Sequence, residues 1–262
     1  MRVAVYYRPG LAHQERWTAA FCEGLKQHGI QPEHLPTTKW KQSDVAVVWG
    51  ERLRQIAETY TDNTLVIECG YFRDRLSYAS LGWNGLNNRA DFCNKNSPPD
   101  RWQKHGVPVR DWKEGGEYVL ILGQVPGDYS HRHADINAFY SDAIRGLSHI
   151  GLPVVFRPHP LSRGTVKGCI LDTSESLEAA LDSAALAVTF NSNSGVDAVL
   201  RGVPTITMDK GAMAWDVTGH TYETPPTPDR EQWLNDLAYC QWTEQELREG
   251  AAWQHLSKGL NA

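Results

Sequence analysis

The sequence lacks most of the features that would assign it at once. Its five cysteines (Cys22, Cys69, Cys93, Cys169 and Cys240) are scattered, odd in number and form no C-x-x-C pair. That pattern argues against a paired-cysteine zinc site and a disulfide framework, and it fits the reduced thiols of a cytoplasmic protein. No apolar run approaches the ~20 residues that span a bilayer. The opening "MRVAVYYRPG" reads as a short strand and not as a signal peptide, so no membrane span is expected. There is no basic excess either. Lys and Arg total 26 against 31 Asp and Glu, a net charge of −5, which leaves only a local basic patch for any contact with nucleic acid. The chain has no G-x-x-x-x-G-K-[ST] loop and no G-x-G-x-x-G after a strand, which removes the P-loop and the dinucleotide fingerprint. It also has no D-x-D triplet, which counts against a metal-bridged nucleotide diphosphate on one aspartate-rich loop.

What the chain does have is alternation. "RVAVYY", "DVAVVWG" and "TLVIECG" are short apolar runs that read as buried strands, with the helical patterns "AHQERWTAAFCEGLKQHG" and "ERLRQIAETY" between them. "EYVLILGQ", "PVVFRPHP", "GCILDT", "ALAVTF" and "VPTITM" repeat the alternation further on, separated by "HADINAFYSDAIRGLSHIG", "SLEAALDSA" and "GVDAVLRG". Strands alternating with helices predict parallel sheets covered on both faces. The expected fold class is therefore α/β, with two Rossmann-like halves facing a cleft. The expected boundaries are 1–114, 115–220 and a helical tail, 221–262, packing back on the body through Trp233 and Trp242. Between Tyr71 and Trp112 the alternation fails. Gly, Asn and Pro are dense there, and the Trp and Arg content marks a functional segment more than a disordered one.

Ligands of open α/β sheets lie beyond the carboxyl ends of the strands. Several polar groups follow strands in this way: Glu68, then Gln124 and Asp128, then Arg157 and His159 with Arg163 nearby, then the loop Asn191 to Gly195. In that loop Ser192, Asn193, Ser194 and Gly195 precede a helix whose first amides are expected to lack partners and to suit an anion. The plainer reading of the loop is an N-cap. That of His159 is a turn histidine, and that of Asp128 a turn aspartate. His131 and His133, two residues apart, do not share a helix face, so no metal is assigned.

The ordered set "IECGY", "LGQVPGD", "RPHPLSRG" and "NSNSGVDAVLRGVPTI" resembles the bacterial capsular polysaccharide Kdo transferases. The matching positions are Glu68, Gly70 and Tyr71; Gln124 and Asp128; His159, Pro160, Arg163 and Gly164; and Asn191, Ser192, Gly195, Ala198, Leu200, Gly202 and Pro204. The resemblance runs from about Thr64 to Gly219 and is more specific in the second half. It implies a GT-B-like glycosyltransferase that is metal-independent and has no cofactor beyond its nucleotide-sugar co-substrate. By that likeness His159 and Ser192 to Gly195 bind the donor phosphate, with Gln124, Arg157 and Arg163 in support. Asp128 is the nucleophile of a retaining double displacement, and Glu68 is its acid/base partner.

Tyr71, Arg75, Trp83, Asn84 and Asn87 are expected on the acceptor side, where "SLGWNGLNNRADF" departs from the family. The acceptor is expected to be a glycan. Alternatively it is a hydroxymethylated pyrimidine in DNA, as for phage-encoded enzymes, with Trp83 walling a flipped base and Arg73, Arg75 and Arg89 beside it. Two further readings use the same cleft: a non-catalytic nucleotide or sugar-phosphate binding module, and an epimerase acting on a nucleotide sugar without acceptor. The donor sugar and the oligomeric state are left open.

Overall fold

In the computed structural model, which describes residues 1–162 and 164–261, the chain forms two units. The first comprises Met1–His105 together with Leu234–Ala262, and the second Gly106–Trp233. The first boundary falls earlier than the expected 114/115, and the chain returns to the first unit between Trp233 and Leu234.

The first unit opens with β1 (Val3–Tyr7), α1 (Ala12–Gln27), β2 (Glu33–Pro36), β3 (Val45–Trp49), α2 (Gly50–Ala57), β4 (Thr64–Cys69), β5 (Ala79–Trp83) and α3 (Asp100–His105). The strands β2, β1, β3 and β4 are neighbours in parallel register. Both faces of β1, β3 and β4 are buried. Val3, Val5, Val45, Val47, Leu65 and Ile67 pack with Trp17, Phe21 and Leu25 of α1 on one side. Ala4, Tyr6, Ala46, Val48 and Val66 pack with Ala57 on the other. Alternate side chains leave a strand on opposite faces, so burial on both turns the usual alternation into an unbroken apolar run.

The irregular segment after Tyr71 is part of this core. It contains β5, a strand where the sequence pattern is irregular, running antiparallel to β4 from Cys69↔Ala79 to Leu65↔Trp83. Gly82 has no room for a side chain: a Cβ there would lie 2.6 Å from the Ala90 Cβ and 2.8 Å from the Phe92 ring. Arg73, Asn84, Asn87, Cys93 and Asn96 all take positive φ, which explains the unreadable pattern, since turns of this kind carry no periodicity.

The second unit contains β6 (Tyr118–Leu122), α4 (Ile136–Gly146), β7 (Val154–Arg157), β8 (Ile170–Leu171), α5 (Leu177–Ser183), β9 (Ala184–Thr189), α6 (Ser194–Leu200) and β10 (Thr205–Thr207). Its sheet order is β10-β9-β6-β7-β8, every pair parallel. Val119, Ile121, Leu186 and Val188 face α4, whereas Leu120, Leu122 and Ala187 face α5 and α6.

The tail runs through α7 (Glu231–Ala238), β11 (Gln241–Trp242), α8 (Glu244–Arg248) and α9 (Ala251–Leu256). Trp242, expected on a helix, lies on β11, which adds to the first unit's sheet antiparallel to β5. The tail is pinned by Arg101 of α3. Its guanidinium donates to the Ala238 and Gln241 carbonyls and to Glu246 Oε1 at 2.8 Å, and lies 4.0 Å from the Trp242 ring centre. Among the described residues no helix is long and apolar enough to cross a membrane.

His105 closes α3, edge-on to Phe72 and Tyr78. Burial, aided by the nearby Arg101 charge, pushes its imidazole down to about 4. The unfolded chain binds that proton near pH 6.5 and the folded chain does not, so stability falls with acid. The advantage of the wild type over His105→Gln in urea unfolding is expected to be full above about pH 6.5 and to shrink as the pH falls towards 4. A difference that holds constant across that window would refute the assignment.

Candidate functional site

The site is assembled in the second unit from the carboxyl ends of β10, β9, β6 and β7. Gly123 extends β6, and its N–H donates to the Arg157 carbonyl at 2.8 Å. A Cβ at Gly123 would sit 2.8 Å from that carbonyl and 3.1 Å from the His159 amide, so only glycine lets the β7 loop come this close. His159 therefore lies beside the β6 turn. The Leu161 N–H donates to His159 Nδ1 at 3.1 Å, which leaves the ring proton on Nε2, as a hydrogen-bond donor.

Gln124 is the hub, and only 7% of it is exposed. Its Oε1 accepts from the Asn191 N–H at 2.9 Å and from Thr189 Oγ1 at 3.3 Å. Its Nε2 donates to Asn191 Oδ1 and to His131 Nε2, both at 2.7 Å. Its own amide donates to the Tyr140 hydroxyl at 2.8 Å. The two acceptor contacts fix which end of the amide is oxygen. His131 Nε2 must therefore accept, and the His131 proton sits on Nδ1. Burial lowers the His131 pKa and favours that neutral ring. Asn191 Nδ2 in turn donates to the Ser130 carbonyl at 3.0 Å and to Asp209 Oδ1 at 3.1 Å, which reaches the loop after β10.

Asp128 stands on the turn held by this hub. Its Oδ1 accepts the Ser130 N–H at 2.8 Å, and its carboxylate faces solvent. Asp128, His159 and the Asn191 loop are thus at one end of one sheet.

Three expectations change. The first amides of α6 are already partnered. Ser194 N–H donates to Ser192 Oγ at 3.2 Å, Gly195 N–H to the Ser192 carbonyl, and Val196 N–H to the Asn193 carbonyl, both at 2.9 Å. The loop caps itself, so an anion there would meet hydroxyls and shared amides. Arg157 is ion-paired with Asp172 and reaches the Ser174 carbonyl, away from any donor role. Burial would raise the Asp172 carboxyl, but the Ser174 and Arg157 hydrogen bonds win and hold it below its ordinary range. Gln124 spends every side-chain hydrogen bond on protein. Arg163 lies outside the described residues.

The acceptor-side expectations divide. Glu68 is half-buried at the carboxyl end of β4; its Oε1 accepts the Cys69 N–H at 3.0 Å, and Arg75 follows in the next turn. Tyr71 and Trp83 do not offer a ligand surface. They are 1% and 4% exposed, and the Trp83 indole donates to the Leu256 carbonyl at 2.9 Å. Trp83 cannot wall a flipped base. Asn84 pairs with the Thr64 backbone at the amino end of β4, the end away from Glu68, and Asn87 sits on the short turn that follows. His131, weighed in the sequence only as a metal ligand, enters the site as the acceptor of Gln124, and Asp209 was not singled out at all. The signal was present in the clustering of polar residues just after strands, but neither belongs to a motif.

The fold class is α/β with two Rossmann-like units, a GT-B-like fold. No family model matches the chain, and no curated protein matches it in sequence. Among solved structures, the beta Kdo 2,7 transferase of Thermosulfurimonas dismutans KpsC is similar over 99% of this chain and 100% of that one, with a TM-score of 0.60 and 15% identity. The beta Kdo 2,4 transferase of the same organism's KpsC covers 91% of this chain and 90% of its own, with a TM-score of 0.61 and 16% identity. At such identities the likeness is one of fold.

Replacing Asn191 tests the hub. Asn191→Leu keeps the branching at Cγ but leaves Gln124 Nε2 short of an acceptor and Asp209 short of a donor. The expected cost is about 2–4 kcal/mol, since each buried group left unpaired costs roughly 1–3. Chemical denaturation reads it, and a wild-type unfolding midpoint would remove the hub from this role.

Proposed function

We propose that the protein is a glycosyltransferase that moves a sugar from a nucleotide-activated donor to an acceptor hydroxyl. The observation that carries this reading is the single strand-end cluster of the second unit. There, a solvent-facing carboxylate (Asp128) and a hydroxyl-bearing loop (Ser192 to Ser194) are tied together through Gln124 and Asn191, and a histidine with its proton on Nε2 (His159) is brought beside the same turn by the close approach at Gly123. The likeness of fold to two Kdo transferases supports it.

The chemistry follows from the residue types. An Asp128 oxygen attacks the anomeric carbon as the bond from that carbon to the phosphate oxygen breaks, and the nucleotide leaves with the electron pair. His159 Nε2–H and the Ser192 and Ser194 hydroxyls stabilise the negative charge that grows on the leaving phosphate. In the second step an acceptor hydroxyl attacks the same carbon, the bond to Asp128 breaks, and Glu68 takes the hydroxyl proton. Both steps pass through an oxocarbenium-like state that a nearby carboxylate stabilises. Two inversions give net retention. The sequence has no aspartate triplet for a metal-bridged diphosphate, so the reading includes metal independence.

A thermal-shift screen with CMP, UDP, GDP and their sugars identifies the donor, since a ligand at a hundredfold excess over its Kd adds about 2.7 kcal/mol to the folded state. With that donor, Asp128→Ala is expected to lose roughly 10³-fold or more in transfer while nucleotide binding persists. Excess chelator is expected to leave the rate unchanged. Unaltered turnover in Asp128→Ala would overturn the catalytic assignment. Product formed from donor alone, at the rate seen with acceptor, would convert the reading to an epimerase or hydrolase.

A further inference from the structure

His131 carries a second ring nitrogen that the hub does not use. Its Nε2 accepts from Gln124 at 2.7 Å, so the proton sits on Nδ1. Nδ1 is buried, and among the described residues it has no hydrogen-bond partner. The whole residue is 4% exposed. A buried donor left unpaired is costly, and folded proteins keep few of them.

The surroundings show which acceptor stands near. His131 ends a 3₁₀ turn, Tyr129–His131, that Asp128 caps. Asp128 Oδ1 accepts the Ser130 N–H at 2.8 Å, and the His131 N–H donates to the Asp128 carbonyl at 3.1 Å. Three residues complete one turn of such a helix, so positions 128 and 131 share a face. Burial lowers the proton affinity of the His131 ring, and the Asp128 and Asp209 carboxylates oppose that effect, Asp128 more strongly. Asp209 Oδ1 already accepts from Asn191 Nδ2 and from the Gly211 N–H. Asp128 Oδ1 accepts one hydrogen bond among the described residues, and a carboxylate oxygen has room for two. Directly after His131 the backbone is left-handed twice, at Arg132 (φ 50°) and His133 (φ 66°). Neither residue is glycine, so the chain holds an unfavourable conformation just where the ring turns inward.

We propose that the His131 Nδ1–H is the second donor to Asp128 Oδ1, and that it thereby turns Oδ2 towards the anomeric carbon. The exposed Asp128 carboxylate closes this contact by rotating about its own side-chain bonds. His131 is then a positioning residue for the nucleophile. In the first step Oδ2 forms its bond to the carbon and the carboxylate loses its charge, while the proton stays on Nδ1. In the second step that bond breaks, the electron pair returns to the carboxylate, and the Nδ1–H stabilises the returning charge. The donor therefore aids release of the sugar from Asp128 more than its capture. The neutral ring suits this task. A proton on Nε2 would point at the Gln124 Nε2–H, so the ring cannot ionise with the hub intact. A cation beside Asp128 would pair its charge and blunt its attack. The catalytic part of this role rests on the retaining-transfer reading given above, whereas the contact between His131 and Asp128 does not.

The test uses the full chain and separates the two ring nitrogens. A glutamine amide reaches the place of Nε2, and an asparagine amide that of Nδ1. His131→Gln keeps an acceptor for Gln124 and loses the donor to Asp128. It is expected to unfold in urea at the wild-type midpoint and to bind nucleotide as the wild type does. With whichever CMP, UDP or GDP sugar supports transfer, its kcat is expected to fall about 10–100-fold, as for loss of a hydrogen bond to a charged group. Its KM for that donor is expected to fall in parallel, and intact-mass spectrometry to show sugar accumulating on the chain, because the second step has become limiting. His131→Asn is the reverse case. Its midpoint is expected to drop, while its transfer per folded molecule exceeds that of His131→Gln by roughly fivefold or more. Wild-type transfer by His131→Gln, or a lowered kcat with no trapped sugar and no fall in KM, would overturn the inference. A second readout needs no sugar donor. The Nδ1–H proton signal of His131 is expected to exchange slowly with water and to move upfield in Asp128→Ala; an identical signal would overturn the contact. A wild type that transfers no sugar but shows this displacement would sink the transferase reading and spare the contact.

Discussion

One buried amide holds the candidate site together. Gln124 has four side-chain hydrogen-bonding positions, and the protein fills all of them: two with Asn191 and one each with Thr189 and His131. A buried amide left half-satisfied would cost more than an apolar residue of the same size. The arrangement is therefore close to all-or-none. If β9 shifts relative to β6, the Asn191 contacts go, and the His131 ring and the Ser130 carbonyl lose their anchors with them. The Asp128 turn's own contacts are short-range, Ser130 N–H to the Asp128 carboxylate and His131 N–H to the Asp128 carbonyl. Packing inside the sheet thus reaches an exposed carboxylate through a chain of named hydrogen bonds.

The first unit is closed in a different way. Four parallel strands come from the start of the chain, and the last two strands of the sheet are antiparallel, β5 from the glycine- and asparagine-rich segment and β11 from the tail. The interior of that edge is aromatic and cationic at once. Arg101 sits against Trp242 and between two backbone carbonyls, and the Glu246 carboxylate that balances it also accepts from the Thr243 backbone and hydroxyl. A guanidinium buried with a full set of partners fixes the tail's register more tightly than apolar contact alone could.

The parallel strands were readable because burial on both faces writes itself as short apolar runs, and the strand ends were readable because polar residues interrupt those runs. Glu68, Asp128 and His159 were found in that way. What escaped has physical causes. β2, "EHLP", is an edge strand with exposed residues and no apolar signature. β5 contains a glycine required by the Ala90 and Phe92 contacts, and it is flanked by residues at positive φ, so composition pointed to a loop. Trp83 looked like a recognition residue because tryptophan beside asparagine does so in many sites, but its indole reaches the Leu256 carbonyl, 173 positions away. Arg157 looked like a phosphate ligand until its partner Asp172 appeared from β8's end. In the last three cases the deciding contact lies in another element, where periodicity and spacing carry no information.

The two units also differ in what their strand ends can offer a ligand. In the second, the polar groups are mostly consumed by one another, and the remaining chemistry is a carboxylate, an imidazole N–H and hydroxyls: small, hard groups suited to phosphate and an anomeric carbon. In the first, the strand ends bound a space of about 290 Å³ with indole walls, a guanidinium and an imidazole. Self-satisfied polar networks are rigid because every departure leaves a buried group unpaired, whereas an aromatic wall tolerates a ligand sliding by an ångström with little loss. A bond-breaking step needs the first kind of surface, since reacting atoms must be held close to one geometry. Contact with a broad, variable surface is served by the second. The two strand ends therefore differ in rigidity as well as in residue type, and the difference follows from whether their polar groups are spent on one another.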